Sequence, residues 1–266
     1  MSYATLELRR EGPVTWCTLS RPEALNALDR TLVDEYRDFL SSLARDRATR
    51  IVVLRGAGRA FCAGLDLKQG GAAEPGGGGV PAGLRGQRHI SEIALWMRRL
   101  PQVFVACVHG AACGGGFMLA LASDLRIAGE SARMNAAFIK LGLSGCDVGV
   151  SYLLPRLVGA SLAAELILTG RFLHAEKARE MGLVSKVVPD AELEGEARKL
   201  VQELLAASPL GLRLSKECLN FSLDAGSLEA VVAMEDRNQI LCAQSRDFRE
   251  GVRAFLEKRP PHFEDA

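Results

Sequence analysis

The stretch that decides the fold is Val105-Ala106-Cys107-Val108-His109-Gly110-Ala111-Ala112-Cys113-Gly114-Gly115-Gly116-Phe117-Met118-Leu119-Ala120. An apolar, β-branched run stops at Gly110, and a triple glycine then precedes a run of good helix formers. The pattern therefore predicts a strand, a tight turn and a helix. Glycines at such a turn let a ligand approach the free N–H groups of the helix N-terminus, where the helix dipole favours negative charge. The turn can hold a phosphate or a developing oxyanion.

Two other interpretations of this region are weaker. Residues 103–122 lack Asp, Glu, Lys and Arg and are long enough to span a bilayer, but the consecutive glycines would break a spanning helix midway. A dinucleotide-binding turn would need GxGxxG, which neither 110–116 nor 56–61 contains. We therefore expect neither a membrane span nor a nucleotide-binding domain.

The composition is typical of a globular protein with one large domain or one domain and a small appendage. The chain has 266 residues, 48% hydrophobic and 24% charged, and a net charge of +1. A charge so close to zero gives no sign of a nucleic-acid or membrane partner. The seven cysteines include no CxxC pair, which favours reduced thiols over disulfides or a metal site. The N-terminus does not resemble a signal peptide, so we expect a cytoplasmic protein.

Outward from the glycine turn, the first half of the chain alternates strands and helices. This order predicts an α/β fold with a parallel sheet, whose ligands lie at the carboxyl ends of the strands. The loops after Leu54 and Val108 could then face one cleft. The predicted elements are strands at 5–8, 14–19 and 51–54, a helix at 29–43 capped by Asp29, a loop at 56–68, a mobile glycine-rich segment at 69–88, a helix at 90–100 and a strand from Val103.

The second half is mostly helical. We predict a short helix at 175–181 and a last strand at 183–188, and then helices at 192–206, 211–223, 228–242 and 247–257. A helical region of this length suggests a separate packing layer or an oligomer interface. The chain therefore divides into an α/β core at 1–200 and a helical region at 201–266.

Five stretches, in this order and spacing, resemble the enoyl-CoA hydratase/isomerase (crotonase) superfamily. They are RPEALNAL at 21–28, RAFCAGLDL at 59–67, the turn at 109–116, LTG at 168–170 and AREMGLV at 178–184. The resemblance covers nearly the whole chain. It implies a spiral of ββα units whose C-terminal helices form a homotrimer or a dimer of trimers. It also implies an acyl-CoA substrate, with coenzyme A as part of that substrate and no separate cofactor.

The resemblance also implies where the site lies. The backbone N–H groups of Leu65 and Gly115 would polarise the thioester carbonyl and stabilise an enolate. Two of the implied substrate contacts have a plainer interpretation, since Asp66 could fix its loop and Lys258 could be a solvated helix end. The substrate-binding positions implied are Ala24, Ala63, Asp66, Leu67, Lys68 and Lys258, with Met118 and Phe138 shaping the acyl pocket.

The chain departs from the family's hydratases at the catalytic carboxylates. Those enzymes carry two glutamates that activate one water, and the matching positions here are Met118 and Phe138. Hydration needs a base that deprotonates water and an acid that protonates carbon. Neither a methionine nor a phenylalanine can do this, so the sequence does not predict the ordinary hydratase mechanism.

Asp147 could replace the missing carboxylates. It lies in the glycine-flanked loop Gly145-Cys146-Asp147-Val148-Gly149, and isomerase-like members of the family carry an acid nearby. Apolar surroundings would raise its pKa into a useful range. The alternative is that Asp147 only caps the helix predicted at 151–158. Nucleophilic roles for Cys113 and Cys146 are weaker hypotheses, and His109 is better interpreted as a residue that orients loops.

The leading hypothesis is an acyl-CoA enzyme that stabilises a thioester enolate and moves a proton with Asp147. The reaction would be double-bond isomerisation or an altered hydration, and one carboxylate suffices for the first. Two alternatives stay open from the sequence. One is a non-catalytic acyl-CoA binder, and the other is a thioester hydrolase or decarboxylase on the same scaffold.

Overall fold

A six-stranded sheet forms the centre of the computed structural model, which describes residues 3–69 and 79–264. The strands of the described residues are β1 Leu6–Glu11, β2 Val14–Leu19, β3 Ile51–Gly56, β4 Val103–Val108, β5 Ala111–Cys113, β6 Leu125–Gly129, β7 Arg133–Asn135, β8 Leu173–His174 and β9 Lys186–Val188. The strand order of the large sheet is β1-β2-β3-β4-β6-β9, and a smaller sheet has the order β5-β7-β8. β1 and β2 pair antiparallel, whereas β2, β3, β4, β6 and β9 run parallel.

Helices cover both faces of the large sheet. The helices of the described residues are α1 Arg30–Leu43, α2 Gly79–Arg99, α3 Gly115–Ala122, α4 Val150–Val158, α5 Ala160–Thr169, α6 Ala175–Glu180, α7 Leu193–Leu205, α8 Pro209–Ser222, α9 Leu228–Ala243 and α10 Arg246–Leu256. Alternate residues of a strand point to opposite faces, so Val52 and Leu54 of β3 enter a core with α1, α2 and α3, while Ile51 and Val53 pack with α7. The α/β class predicted from the alternation is confirmed.

The stretch at 103–122 folds as a strand, a turn and a helix, as predicted. β4 ends at Val108, a short strand β5 follows, and α3 begins at Gly115. The addition of β5 was not predicted, because three residues are too few to show a period. None of the described helices is long and apolar enough to cross a membrane.

The prediction of a mobile segment at 69–88 is wrong for its last ten residues. α2 begins at Gly79 and includes Pro81. Proline is tolerated there because N–H groups in the first turn have no acceptor within the helix, so its missing N–H costs no hydrogen bond. Part of this segment, 70–78, lies outside the described residues. The strand predicted at 183–188 is also shorter than expected, since Leu183 and Val184 are buried in the core ahead of β9.

The C-terminal helices are joined to the core by a buried lysine on α8. The Lys216 side chain is only 6% exposed, and its ammonium lies 2.8 Å from the Asp124 carboxylate. It also donates to the carbonyls of Met97 at 2.9 Å and Gln102 at 2.6 Å. All three of its protons therefore have acceptors, as a buried cation requires.

Candidate active site

The loop after β3 is joined by hydrogen bonds to the glycine turn. The Cys62 N–H donates to the Ala111 carbonyl at 3.0 Å, and the Cys113 N–H donates to the Cys62 carbonyl at 3.0 Å. On its other side the loop pairs with Leu28, whose N–H donates to the Gly64 carbonyl at 2.7 Å. The two glycine-bearing loops that the sequence places after parallel strands therefore lie side by side.

Two glycines make this close approach feasible. A Cβ atom on Gly64 would lie 2.6 Å from the Cys113 carbonyl oxygen and 3.5 Å from the Gly115 nitrogen. A Cβ atom on Gly116 would lie 2.1 Å from the Cys62 carbonyl oxygen. Gly64 also has φ +91°, a conformation that side chains rarely adopt. Larger residues at either position would push the two loops apart.

The N–H groups of Leu65 and Gly115 have no acceptor among residues 3–69 and 79–264. Gly115 is the first residue of α3, so its N–H has no acceptor within the helix. In the loop, the N–H groups of Ala63 and Asp66 donate backbone hydrogen bonds. No group in the described parts of the chain accepts a hydrogen bond from the Leu65 N–H. Since Gly64 lies against Gly115, the fold brings two free donors to neighbouring segments. Such a pair can stabilise a developing oxyanion.

The loop that carries Leu65 is held by a buried arginine. The Arg21 guanidinium lies 3.0 Å from the Asp66 carboxylate and 3.2 Å from the Asp29 carboxylate. The second oxygen of Asp66 accepts from the Lys68 N–H at 3.1 Å. These contacts support the plainer interpretation of Asp66 as a residue that fixes its loop. Leu67 is 61% exposed, and Lys68 is exposed as well.

The replacement Arg21→Met should destabilise the protein markedly, because it removes a buried guanidinium that contacts both the Asp29 and the Asp66 carboxylates. We expect the free energy of unfolding to fall by about 3–5 kcal/mol, measured by urea denaturation. The matched control is Arg30→Met, since the ion pair that Arg30 forms with Asp34 in the described part of the chain is exposed. Equal stability of the two variants would contradict the role given to Arg21.

The two positions that could have carried hydratase glutamates are apolar and buried. Met118 on α3 is fully buried in the core. Phe138, in the short 3-10 helix Ala137–Leu141, is 8% exposed, and its ring lies 3.3 Å from where a Cβ on Gly114 would be. Phe138 therefore covers the glycine turn. Ala24, in the 3-10 helix Pro22–Ala24, and Ala63 are partly exposed near the loop.

Asp147 is half-buried in the loop before α4. Its Oδ1 accepts from the Val148 N–H at 2.7 Å and from Nε2 of Gln87 on α2. Burial raises the pKa of this carboxyl above its usual range, and the two hydrogen bonds oppose that rise. The alternative that Asp147 caps the helix is wrong, because the N-cap of α4 is Gly149 and no side chain caps it. Asp147 bonds instead to the next residue along the loop.

The remaining candidate residues are His109, the two cysteines Cys113 and Cys146, and Lys258. Nε2 of His109 lies 2.9 Å from the Gly58 carbonyl, which fits a loop-orienting role. Burial raises the pKa of the Cys113 thiol, which opposes its use as a nucleophile, while Cys146 is exposed. Lys258 is exposed at the end of α10, and the hydrogen bonds and ion pairs of the described residues do not join it to the other candidates.

Neither Gln87 nor the role of Arg21 was predicted from the sequence. Arg21 lies in a stretch that carried the resemblance, but its partner Asp66 is 45 residues away. Gln87 lies in the segment predicted to be mobile, and its partner Asp147 is 60 residues away. Neither pairing leaves a local signal in the sequence.

Comparisons with known proteins give one consistent result. The family model of enoyl-CoA hydratase/isomerase matches residues 9–266. The protein named probable enoyl-CoA hydratase EchA12 of Mycobacterium tuberculosis is 39% identical over 93% of this chain and 88% of its own length. The 1,2-epoxyphenylacetyl-CoA isomerase of Escherichia coli is 38% identical over 95% of each chain. The crystal structure of an enoyl-CoA hydratase from Bacillus anthracis matches with a TM-score of 0.92 and 33% identity, over 98% of this chain and 100% of that one.

Proposed function

Because this chain belongs to the enoyl-CoA hydratase/isomerase family, we propose that it isomerises the double bond of an enoyl-CoA thioester with Asp147 as its acid and base. The observation that carries the proposal is the half-buried Asp147 carboxyl, whose pKa is raised by burial and whose second oxygen has no donor among the described residues. Met118 and Phe138 offer no second carboxylate. A single acid–base group can shuttle one proton between two carbons.

The proposed reaction begins when the thioester carbonyl of a 3-enoyl-CoA accepts hydrogen bonds from Leu65 and Gly115. The Asp147 carboxylate takes a proton from C2, and the electron pair moves onto the carbonyl oxygen to form a dienolate. The two N–H groups stabilise that negative charge. Asp147 then returns the proton to C4, which leaves a double bond between C2 and C3. The carboxylate is regenerated, and no water is consumed.

The exposed part of the loop after β3 supports an acyl-CoA ligand. Leu67 and Lys68, which follow Leu65 in this loop, are exposed, and Ala63, which precedes it, is partly exposed. We assign the path of the pantetheine and nucleotide to this loop and to Ala24, with Lys258 meeting the phosphates. Phe138 and Met118 would bound the acyl group. The Asp66 carboxylate would act only by holding the loop against Arg21.

Large apolar side chains on the C-terminal helices support self-association. Leu228 and Ile240 on α9 are 74% and 63% exposed, and Phe255 and Leu256 on α10 are 83% and 74% exposed. Surfaces of this kind mark protein interfaces. We assign residues 201–266 to a homotrimer or dimer-of-trimers interface, and a monomer in analytical ultracentrifugation would refute the assignment. The seven free thiols are consistent with a reducing compartment such as the cytoplasm.

The proposed function is tested by two absorbance assays on one preparation. With a 3-enoyl-CoA we expect the absorbance of a conjugated thioester to grow, because isomerisation creates the conjugation. With a 2-enoyl-CoA we expect no rapid loss of that absorbance. Loss with the second substrate would indicate an altered hydration instead. No change with either substrate, despite bound thioester, would favour a binder, and release of free thiol or carbon dioxide would favour a hydrolase or a decarboxylase.

A further inference from the structure

The two hydrogen bonds to Asp147 end on the same oxygen. Both the Val148 N–H and the Gln87 Nε2–H donate to Oδ1, while Oδ2 accepts from no group in the described ranges. A carboxylate bonded in this way is asymmetric. Its bonded oxygen is the poorer proton acceptor, because hydrogen bonds to the charged form stabilise it. The unbonded oxygen is the one that can take a proton from a substrate.

The packing of α2 explains how Gln87 reaches Asp147. Gln87 and Ala94 are seven residues apart, so they lie on one face of α2 two turns apart. Ala94 is 5% exposed, and its Cβ lies 4.0 Å from where a Cβ on Gly149 would be. This face of α2 therefore runs along the loop that carries Asp147. The Gln87 amide is held at the loop by a helix that is itself anchored in the core.

The loop backbone holds Asp147 from the other side. Val148 has φ +42°, which is a strained conformation for a β-branched residue. Its side chain is 6% exposed and packs in the core, so the surrounding structure fixes this conformation. The strained residue supplies the N–H that bonds Oδ1. Backbone strain maintained beside a candidate acid favours a functional role over a merely structural one.

We propose that Gln87 is a positioning residue that holds Oδ1 of Asp147 and thereby directs Oδ2 to the carbon that gives up its proton. This inference rests on the proposed function. It predicts that the amide of Gln87 sets both the orientation and the proton affinity of the catalytic carboxylate. Gln87 itself contacts no reacting atom.

The surroundings of Asp147 make this prediction simple to test. Burial is the main influence on the pKa of the carboxyl, and the only opposing influences among the described residues are the two hydrogen bonds. The ionisable side chains nearest to the pair along their own elements are Cys146 in the loop and Arg85, Arg88 and His89 on α2. Arg98 and Arg99 of α2 and Tyr152 of α4 line the cavity beside Gly149. None of these groups is among the causes of the raised pKa of Asp147. A change at Gln87 should therefore act directly on Asp147.

The experiment compares Gln87→Leu with Gln87→Lys, and Arg85→Gln serves as the control on the same helix. Leucine removes the donor and should raise the pKa of Asp147 by about one unit, whereas lysine adds a cation and should lower it. The pKa is read by carbon-13 NMR of labelled aspartate, and the Asp147 signal is assigned by its loss in Asp147→Asn. In the leucine variant, the acid limb of the kcat–pH profile should move upward, because the charged form is the base. Its kcat should fall about tenfold with KM nearly unchanged.

Shifts of opposite sign in the two Gln87 variants, absent in Arg85→Gln, would support the proposal. If Gln87 only braced the loop, both variants would shift the pKa of Asp147 in the same direction, and that result would overturn the proposal. So would a normal kcat in Gln87→Leu. If Asp147→Asn kept its turnover, the proposed function itself would fail. If Asp147→Asn were inactive and the opposite shifts were absent, only the role of Gln87 would fail.

Discussion

The replacement Asp147→Asn is expected to lower kcat for a 3-enoyl-CoA by about 10²- to 10⁴-fold, the usual contribution of a general acid–base group. Asparagine has nearly the same shape, and its carbonyl oxygen can still accept from Gln87 and Val148. The loop should therefore keep its conformation. Affinity for an acyl-CoA should change less than about threefold, because the two N–H donors and the loop after β3 are unaffected. Steady-state kinetics and calorimetric titration measure the two quantities.

The matched control for this variant is Asp224→Asn. The Asp224 side chain is 67% exposed, and its nearest ionic partner, Arg156, is 3.7 Å away. Its loss should leave kcat within about twofold of the original value. Full turnover by Asp147→Asn would remove Asp147 from the mechanism. Loss of both turnover and binding would instead indicate a structural role.

The second large effect is expected from Gly64→Ala. The added methyl would meet the Cys113 carbonyl oxygen at 2.6 Å, and φ +91° is strained for alanine. The loop must move, which displaces the Leu65 N–H from that of Gly115. Loss of one oxyanion donor typically costs about 10²- to 10³-fold in kcat. We expect a decrease of that size, with a lower melting temperature.

Gly182→Ala separates the strain of the backbone from the displacement of the donors. Gly182 has φ +73°, and apart from its chain neighbours no atom of the described residues lies within 4 Å of an added Cβ. This variant should therefore lose about 1–2 kcal/mol of stability from strain and keep its kcat. If Gly64→Ala lost stability but kept its turnover, the pair of N–H groups would not be the site of carbonyl activation.

Local patterns predicted much of the framework. The apolar face of α1 and its cap were visible in the sequence, and the Asp29 carboxylate accepts from the Leu32 N–H at 2.8 Å. The glycine turn was also visible, because the need for glycine is a property of a few consecutive residues. The start of α2 was missed, since glycine and proline in a first turn resemble a loop.

The candidate site was predicted less completely, because it depends on contacts between distant segments. The sequence indicated Asp147 by its glycine-flanked loop, but it gave no sign that Gln87 bonds the carboxylate or that Val148 has a left-handed conformation. An aspartate that caps a helix and an aspartate that is held by a neighbouring helix can have the same local sequence. Only the packing of α2 against the loop distinguishes them.

The central claim is that one carboxylate moves a proton and no water is added. The most direct test is mass spectrometry of the product formed from a 3-enoyl-CoA in water enriched in oxygen-18. The account predicts a conjugated 2-enoyl-CoA with the same mass as the substrate and no oxygen-18. A product heavier by one molecule of labelled water would contradict it and would show that the enzyme is a hydratase with an altered water site.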